Sequence, residues 1–317
     1  MNRINAKNMQ DKFEMFDELP PELETEVAQN LSNRELVNLG QASKYHLALF
    51  QPMIDVRKLL HHVTRGEHDA VKAMLKKDLS FIFKRGVVTD CSGRVFENIS
   101  PFEYALWALD KHMWSAMMAC IPSNEEGKKV FAKLIAQYNK VNIEGVTYRL
   151  NGKTITEKHF DFKNTIIKEL KAQVDSINAP GATNWDAIDK QWREGVGGAQ
   201  KLLPMHVVYE YCSNEPFYPV PKFTSQPKSS KQFFNWVTEK DENWFGVDSR
   251  LAVDRAIYKG RYGPAATWYP IGRLYATRLD LVALKALCEV RTKDFIDLKS
   301  QLEDQMALNN HHQVSQI

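Results

Sequence analysis

Residues 16–49 read FDELPPELETEVAQNLSNRELVNLGQASKYHLAL. Apolar residues recur in this stretch at intervals of three to four residues, the spacing of one face of a helix. A first set consists of Leu19, Pro20, Leu23, Val27 and Leu31, and a second set of Leu36, Leu39, Ala42 and Leu47. Because about forty residues seldom close a stable core alone, we expect this apolar face to pack on a partner or on the following segment.

The order of these residues resembles the F-box, the helical module that docks substrate receptors onto the Skp adaptor of cullin–RING ubiquitin ligases. The residues that carry the resemblance are Leu19-Pro20, Glu22-Leu23, Val27, Leu31, Leu36, Leu39 and Ala42-Ser43-Lys44. Two positions depart from the family's pattern: Ala42 stands where valine is usual, and Tyr45 or His46 where tryptophan is usual. The resemblance implies that an adaptor is bound by Leu19, Pro20, Leu23, Val27, Leu31, Leu36 and Leu39. The alternative is an ordinary helical hairpin packed on its own protein.

Length and composition narrow the class of protein. The chain has 317 residues, of which 44% are hydrophobic and 26% charged, as in soluble globular proteins of more than one domain. Its net charge is +3, without the basic stripe typical of nucleic-acid binding, so we expect no nucleic-acid partner. The four cysteines have no metal-ligand spacing and favour a reducing compartment. We therefore expect neither a metal nor another cofactor.

The sequence also predicts a protein without a membrane partner. No run of about eighteen apolar residues is present, so no transmembrane helix is expected. The start, MNRINAKNMQDKFEMF, is polar and lacks the apolar centre of a signal peptide. These observations predict a soluble protein of the cytosol.

After a turn expected at Pro52, the chain reads LLHHVTRGEHDAVKAMLKKDLSFIF from Leu59. Its apolar spacing predicts two short amphipathic helices around a turn at Gly66. This pair resembles an ankyrin repeat, with Leu60-His61 and His68 at the positions of the repeat's Leu-His pair and later histidine.

A second helix pair begins at Ser100-Pro101-Phe102, which resembles the Thr-Pro-Leu that opens an ankyrin helix. Ser100 suits the N-cap and Pro101 the first helical position. Between the two pairs, VVTDCSGRVFENI predicts a β-hairpin centred on Ser92-Gly93, as in the finger of an ankyrin array. Two unrelated helical hairpins are the alternative.

The remainder of the chain mixes helix with minor β structure. An Asn151-Gly152 turn predicts a hairpin, and helices are expected near 164–178 and 184–200, the second capped by Asn184. LLPMHVVYEYC reads as a helix or strand, 213–232 as a surface loop, and Leu279–Met306 as a final helix. The predicted fold is mostly α, with five regions: a flexible tail at 1–13, an F-box-like unit at 14–54, ankyrin-like repeats at 55–122, a mainly helical domain at 123–305 and a disordered tail at 306–317.

Few residues suggest catalysis. His206 and Cys212 lie six apart, which places them on largely opposed faces of a helix, so a buried histidine and a small apolar cysteine are favoured over a thiol–imidazole pair. Cys91 is expected to be exposed at a hairpin tip, beside a cation that would increase its thiolate fraction. A structural loop is favoured there too.

Two further patterns also favour structural roles. The glycines of EGVGGAQ, at 195, 197 and 198, lack the lysine-serine pair of a phosphate loop and indicate close helix packing. His311-His312 is an adjacent pair in the tail and does not by itself make a metal site.

Target contacts are expected at the fingertip and concave face of the ankyrin-like pair, where such arrays bind partners and where aromatic hot spots would lie. The residues predicted to contact a target are Asp90, Arg94, Phe96 and Trp107, with a core position as the alternative for Trp107.

An F-box-like segment followed by ankyrin-like repeats resembles the F-box effectors that intracellular bacteria deliver into eukaryotic cells. The resemblance implies a non-catalytic substrate receptor, which acts in the host cytosol after secretion and binds a Skp-family adaptor and an unidentified target protein. Two alternatives remain. One is an enzyme, a hydrolase or transferase, in residues 123–305, which requires a deep polar pocket. The other is an ankyrin-type scaffold without a ubiquitin role, which requires Leu19, Leu23 and Val27 to be buried in the protein's own fold.

Overall fold

The computed structural model of the chain describes residues 16, 19–246, 249–261, 263, 265–267 and 274–311, with only the backbone at 274–275 and 308–311. The predicted tail at 1–13 lies outside these residues. The structure is 58% helix and 13% strand, which confirms the mostly α class.

Helices form most of the fold. In chain order they are α1 (Pro21–Gln29), α2 (Asn33–Gln41), α3 (Lys44–Thr64), α4 (His68–Lys77), α5 (Pro101–Trp107), α6 (Lys111–Met118), α7 (Glu125–Glu144), α8 (Lys168–Ile177), α9 (Trp185–Lys190), α10 (Gly197–Lys201), α11 (Met205–Tyr211) and α12 (Leu274–His311). The strands are β1 (Gly86–Thr89), β2 (Val95–Ile99), β3 (Val146–Leu150), β4 (Lys153–Glu157), β5 (Gln232–Asn235), β6 (Lys240–Asn243), β7 (Ile257–Tyr258) and β8 (Ala266–Thr267). No helix in the described part of the chain is both long and apolar enough to cross a membrane.

Helices α1 to α3 form an N-terminal unit with its own small core. Ala28, Leu36 and Phe50 are buried together in it, with Phe16. The turn expected at Pro52 is wrong, because Pro52 lies inside α3. A proline inside a helix costs about 3 kcal/mol, and the apolar contacts that α3 makes on both sides of Pro52, with this core and with the main core, offset that cost.

Helix α3 continues into the first of two stacked helix pairs. Its C-terminal half packs against α4 across Gly66, which has φ +66°, as the sequence predicts. Helices α5 and α6 form the second pair; α5 contacts α3, and α6 contacts α4. Ser100 forms a capping box with Glu103 at the start of α5 and confirms the expected N-cap.

A four-stranded antiparallel sheet of order β1-β2-β3-β4 contains both predicted hairpins. Asn151 (φ 50°) and Gly152 (φ 75°) form the two-residue turn between β3 and β4. Because β2 pairs with β3, the sheet joins segments on either side of the predicted boundary at 122. The main core likewise runs from Val56 to Leu302, so that boundary does not separate two cores.

The C-terminal elements follow the predicted order. Helical backbone covers 163–177, with a kink at Thr165 (φ −107°, ψ −105°), and 185–201, which contains a π-helical turn. Asn184 caps the second segment through the Ala187 N–H. The segment LLPMHVVYEYC contains helix α11. A second sheet has the order β6-β5-β8-β7. The final helix reaches His311, so the predicted tail is wrong for residues 306–311; residues 312–317 lie outside the described residues.

The glycines of EGVGGAQ lie within helical backbone, and close packing on another segment's main chain is found at Gly197. A Cβ on Gly197 would lie 2.4 Å from the main-chain oxygen of Arg255, whereas a Cβ on Gly198 would meet only Ala252 Cβ, at 3.8 Å. We expect Gly197→Ala to lower the free energy of unfolding by about 1–3 kcal/mol through overpacking. The matched Gly198→Ala should be neutral or raise it by up to about 1 kcal/mol, since alanine favours helix. Urea unfolding measures both, and equal effects would contradict the packing role.

Candidate protein-binding surface

Helix α1 of the N-terminal unit carries exposed apolar side chains. Pro20 precedes the helix and Pro21 occupies its first position. The main-chain N–H at that position has no helical acceptor, so proline, which lacks an N–H, loses no helical hydrogen bond there. Ala28 faces the small core, whereas Leu23 and Val27 keep 46% and 44% of their surface exposed. Because these two side chains are four residues apart, they lie on one face of the helix. This face points to solvent.

The structure divides the seven residues predicted to bind an adaptor. Pro20, Leu23 and Val27 are exposed, and Leu19, Leu31 and Leu39 are partly buried against the small core. Leu36 is 1% exposed, so the prediction that it contacts a partner is wrong. The reason is that the unit closes its own core, and Leu36 is needed to fill it beside Ala28 and Phe50.

The start of α3 adds apolar surface beside α1. The Tyr45 hydroxyl donates a hydrogen bond to Glu24 Oε1 of α1 at 3.3 Å, and the Tyr45 ring is half exposed. His46 instead stacks on Phe50, with ring centroids 5.7 Å apart. Tyr45 is therefore the aromatic residue at the surface. Val37 and Leu47 are also exposed. We call Pro20, Leu23, Val27 and Tyr45 the α1 surface.

Arg57 holds α1 against α3 within this unit. Its guanidinium donates to the main-chain oxygens of Leu31 (2.6 Å) and Gln29 (2.8 Å), and it also reaches Asn33 Oδ1 at 3.3 Å. These acceptors lie at the C-terminal end of α1 and in the following turn, where main-chain carbonyls lack helical partners. Burial lowers the pKa of Arg57. One side chain of α3 thus fixes the direction of α1.

The four residues predicted to contact a target are all buried, which corrects that prediction. Arg94 Nη1 lies 3.2 Å from Asp90 Oδ2, and Arg94 Nη2 donates to the Leu202 carbonyl at 2.8 Å. Phe96 and Trp107 pack in the same place, with ring centroids 5.0 Å apart and no exposed surface. The hairpin tip is covered by the segment before α11, a contact that spacing within the hairpin does not reveal.

Cys91 is half-buried at this tip rather than exposed. Burial raises the pKa of its thiol, and the positive charge of Arg65 opposes that shift without reversing it. The expected increase in thiolate is therefore wrong. The structural interpretation of this loop is retained.

His206 and Cys212 do not form a catalytic pair. His206 Nε2 lies 2.8 Å from the Ala108 carbonyl, and burial lowers its pKa to about 4. The pKa of Cys212 is raised to about 12 by burial. Both are buried, so the interpretation as core residues is supported.

In the described part of the chain, no group of His, Cys, Asp or Glu has the arrangement of a metal site. Of the His311-His312 pair, His312 lies outside the described residues.

A buried ionic network, not anticipated from the sequence, joins α11 and α12. Arg291 has no exposed surface; its guanidinium donates to the Phe223 carbonyl at 2.8 Å and lies 3.5 Å from Glu210 Oε1. It also contacts His112 Nε2 at 2.8 Å. Burial, with the charge of Arg291, lowers the pKa of His112 to about 3, so the ring accepts this bond. Burial raises the pKa of Glu210 to about 7 even though Arg291 and Lys259 oppose the shift.

Lys259 forms a second buried centre. Its ammonium donates to the Tyr211 and Ser213 carbonyls at 3.1 and 2.7 Å, to the Glu210 carbonyl, and to Ser213 Oγ. It thereby caps the C-terminal end of α11. Asp280 of α12 accepts hydrogen bonds from the main-chain N–H groups of Lys259 and Gly260, and burial raises its pKa to about 7. Perturbed pKa values mark functional sites or structural networks. The residues that hydrogen-bond to Lys259 and to the Asp280 carboxylate are themselves buried in the core, as in a structural network.

An open hollow of about 520 Å³ is lined by residues between 238 and 255. These residues belong to the region 123–305, in which the enzyme alternative requires a deep polar pocket. Both arginines that line the hollow are ion-paired: Arg255 lies 3.2 Å from Glu242, and Arg250 lies 2.8 Å from Asp254. The Arg255–Glu242 pair holds the loop before β7 against the β5–β6 hairpin. Sequence spacing gave no signal for this arrangement.

Comparison with known proteins places the chain in a family. A family model described as the CBUA0006 C-terminal domain matches residues 165–302. The chain is also 35% identical over 262 residues to a protein of Coxiella burnetii (strain RSA 493 / Nine Mile phase I), the uncharacterized CBUA0006, covering 76% of this chain and 74% of the relative. The chain belongs to the CBUA0006 family. No solved structure matches it.

The CBUA0006 match bears on two parts of the molecule. The ionic networks of Glu210, Lys259, Asp280 and Arg291 all lie within the region matched by the C-terminal domain model. The alignment with the Coxiella protein is longer than that region. Similarity within the CBUA0006 family therefore extends beyond the C-terminal domain.

Proposed function

We propose that the protein is a non-catalytic substrate receptor that binds the Skp adaptor of cullin–RING ubiquitin ligases through the α1 surface and a target protein through the remainder of the chain. The observation that carries the proposal is the exposure of Leu23 and Val27 on a helix whose adjoining side, with Glu24 and Ala28, is buried. An exposed apolar face of this kind is typical of a protein-interaction site.

The exposure of these two residues weighs against the alternatives in which the N-terminal helices only pack on their own protein. The scaffold alternative requires Leu19, Leu23 and Val27 to be buried in the fold. Leu23 and Val27 remain nearly half exposed, although Leu19 is partly buried. The F-box-like residues thus have two roles: some close the small core, and the others are available to a partner.

The stacking of the two helix pairs supports the ankyrin-like part of the proposal. Helices α3 and α5 pack side by side, as do α4 and α6, and the β1–β2 hairpin lies between the two pairs in sequence, with β1 packed on α3. Repeat arrays bury their apolar faces in this way, each unit against its neighbours. The N-terminal unit covers one part of α3, and α7 packs on α5, so this short stack is capped on its outer sides.

Delivery into a host cytosol belongs to the same proposal. It is supported by the resemblance to F-box effectors and by a family relative from the bacterium Coxiella burnetii.

The test is the affinity of the purified full chain for a purified Skp adaptor. We expect Leu23→Asp combined with Val27→Asp to weaken binding at least about 100-fold, because central anchors of an interface contribute about 2 kcal/mol or more each. Both side chains are already at the surface, so the circular dichroism spectrum should not change.

The matched control is Val282→Asp with Ile296→Asp on α12, two apolar residues that are 52% and 62% exposed and lie outside the α1 surface. This pair should leave adaptor affinity within about twofold, since isolated surface substitutions have small effects. Equal losses in both double variants would contradict an adaptor site on α1.

A further inference from the structure

Helices α2 and α3 leave an apolar groove of about 390 Å³ between them. Its apolar lining comes from Leu36 and Val37 of α2 and from Ile54 of α3. Leu36 is buried, whereas Val37 is 37% exposed at the side of the groove. An exposed aliphatic side chain beside a recess of this size gives an apolar group of a partner a place to pack.

The rest of the lining, apart from Asn33, is basic and belongs to α3: Arg57, Lys58, His61 and His62. Within the described part of the chain, no carboxylate lines the groove. The Arg57 guanidinium donates to carbonyl oxygens of the main chain and of Asn33, and among the described residues neither Arg57 nor Lys58 has an acidic partner at ion-pair distance. Lys58 and His61 are exposed. Burial lowers the pKa of His61, so at pH 7 its ring offers an N–H rather than a charge.

Carboxylates close to the groove in sequence are held elsewhere. Glu67 lies 2.5 Å from His62 Nδ1. Glu35 is held in the capping box at the start of α2, and Asp55 accepts a hydrogen bond from Gln51 at 2.9 Å. The positive charge of the arginine and lysine beside the groove is therefore left for a partner to neutralise.

The groove is a different surface from the α1 surface. None of the four residues that define the α1 surface lines it. Tyr45 of the α1 surface lies in the first turn of α3, whereas Lys58 lies in its second half. At a rise of about 1.5 Å per residue, these two positions are about 20 Å apart along the helix. A partner bound at α1 can therefore leave the groove open.

The terminal segments of this chain that lie outside the described residues do not have the matching charge. Residues 1–15 carry three basic and two acidic side chains, and residues 312–317 carry no acidic one. Charge complementarity therefore favours another protein as the source of the occupant.

We propose that this groove binds a short linear segment of a second protein, in which an aliphatic side chain is flanked by aspartate or glutamate. The aliphatic side chain packs on Leu36, Val37 and Ile54, and the carboxylates lie beside Lys58 and His61. Apolar contact at the centre with complementary charge at the rim is the usual arrangement of a protein interface. The site goes beyond the adaptor site and does not depend on it.

The probe is a phage library of random linear peptides of about twelve residues, selected on the full chain and counter-selected on the Val37→Asp variant. We expect the enriched peptides to share an aliphatic residue with acidic neighbours. The most enriched peptide is synthesised with a fluorescent label, and its affinity is measured by anisotropy. Val37→Asp should weaken its binding at least about tenfold, because a carboxylate then lies in the apolar contact. Lys58→Glu should weaken it at least about threefold, because it reverses a charge at the rim.

The matched controls are Val253→Asp and Lys285→Glu. Val253 is 59% exposed and Lys285 is exposed on α12, and neither lines the groove. Both variants should bind the peptide within about twofold of the unmodified chain. Equal losses in the groove variants and in these controls would overturn the proposal, as would failure to enrich a peptide or enrichment of peptides without acidic residues.

Methyl NMR of the unmodified chain keeps the test independent of how the variants fold. The peptide should shift the methyl signals of Val37 and Ile54 and leave those of Val253 unchanged; the reverse pattern would overturn the proposal. The same shifts on adding the Skp adaptor, or on concentrating the chain alone, would assign the groove to the adaptor or to a second copy and would also overturn it. Failure of the adaptor to bind leaves the peptide result unchanged, so the two proposals fail separately.

Discussion

Replacing Arg291 by methionine is expected to lower the free energy of unfolding by about 3–5 kcal/mol at pH 7, as for removal of one partner of a buried ion pair. Methionine keeps most of the side-chain volume but leaves Glu210 buried without its guanidinium. It also removes the donor to the Phe223 carbonyl. Urea unfolding followed by tryptophan fluorescence measures the change, with an unchanged m-value showing that unfolding remains two-state.

The pH dependence of this loss identifies its cause. Glu210 already has a pKa raised to about 7 by burial, and Arg291 opposes that shift. Without Arg291 the folded-state pKa should rise further. A carboxyl whose pKa is higher in the folded state contributes stability that is present at low pH and lost as the pH rises through that pKa. The deficit of Arg291→Met should therefore be larger at pH 8 than at pH 5.

A double-mutant cycle provides the control. In a Glu210→Gln background, Arg291→Met should cost at least about 1 kcal/mol less, because residues in one network are not additive, and the extra pH dependence should disappear. An additive cycle with a pH-independent loss would show that the loss comes from contacts of Arg291 other than Glu210, such as those with the Phe223 carbonyl and His112.

Replacing Lys259 by methionine is expected to lower the free energy of unfolding by about 1–3 kcal/mol. The substitution leaves the Ser213 carbonyl without the ammonium that donates to it, whereas the Tyr211 carbonyl keeps its bond from the Ala265 N–H. One unsatisfied buried group costs about 1–3 kcal/mol. Circular dichroism melting and urea unfolding of the two proteins give the difference.

Lys168→Met is the control for Lys259→Met, because Lys168 is exposed and lies 4.0 Å from Glu169. It should change the free energy of unfolding by less than about 0.5 kcal/mol. A Lys259 variant as stable as this control would contradict the capping role of the ammonium.

The parts of the fold that were predicted correctly are those decided by neighbouring residues. Asn151-Gly152 needs only its own backbone conformation to form a tight turn. Ser100 caps α5 through Glu103, three residues away, and Asn184 caps α9 through the Ala187 N–H. Such local interactions are visible in the sequence because their partners are fixed by spacing.

The parts that were predicted wrongly depend on partners far along the chain. Arg94 is buried because its guanidinium donates to the Leu202 carbonyl, more than one hundred residues away. Leu23 and Leu36 both have helical apolar spacing, but only Leu36 meets Phe50 in the small core. Pro52 signals a turn locally, and the contacts of α3 outweigh that signal. Periodicity indicates that a face is apolar without showing whether the protein itself covers it.

The most direct test of the proposed adaptor site is a calorimetric titration of the purified full chain with a purified Skp adaptor. We expect a one-to-one complex with a Kd of about 1 μM or tighter, equivalent to about −8 kcal/mol, and its loss in the protein carrying both Leu23→Asp and Val27→Asp. Absence of binding at adaptor concentrations of about 100 μM, or binding unaffected by the two substitutions, would contradict the assignment of the α1 surface to the adaptor.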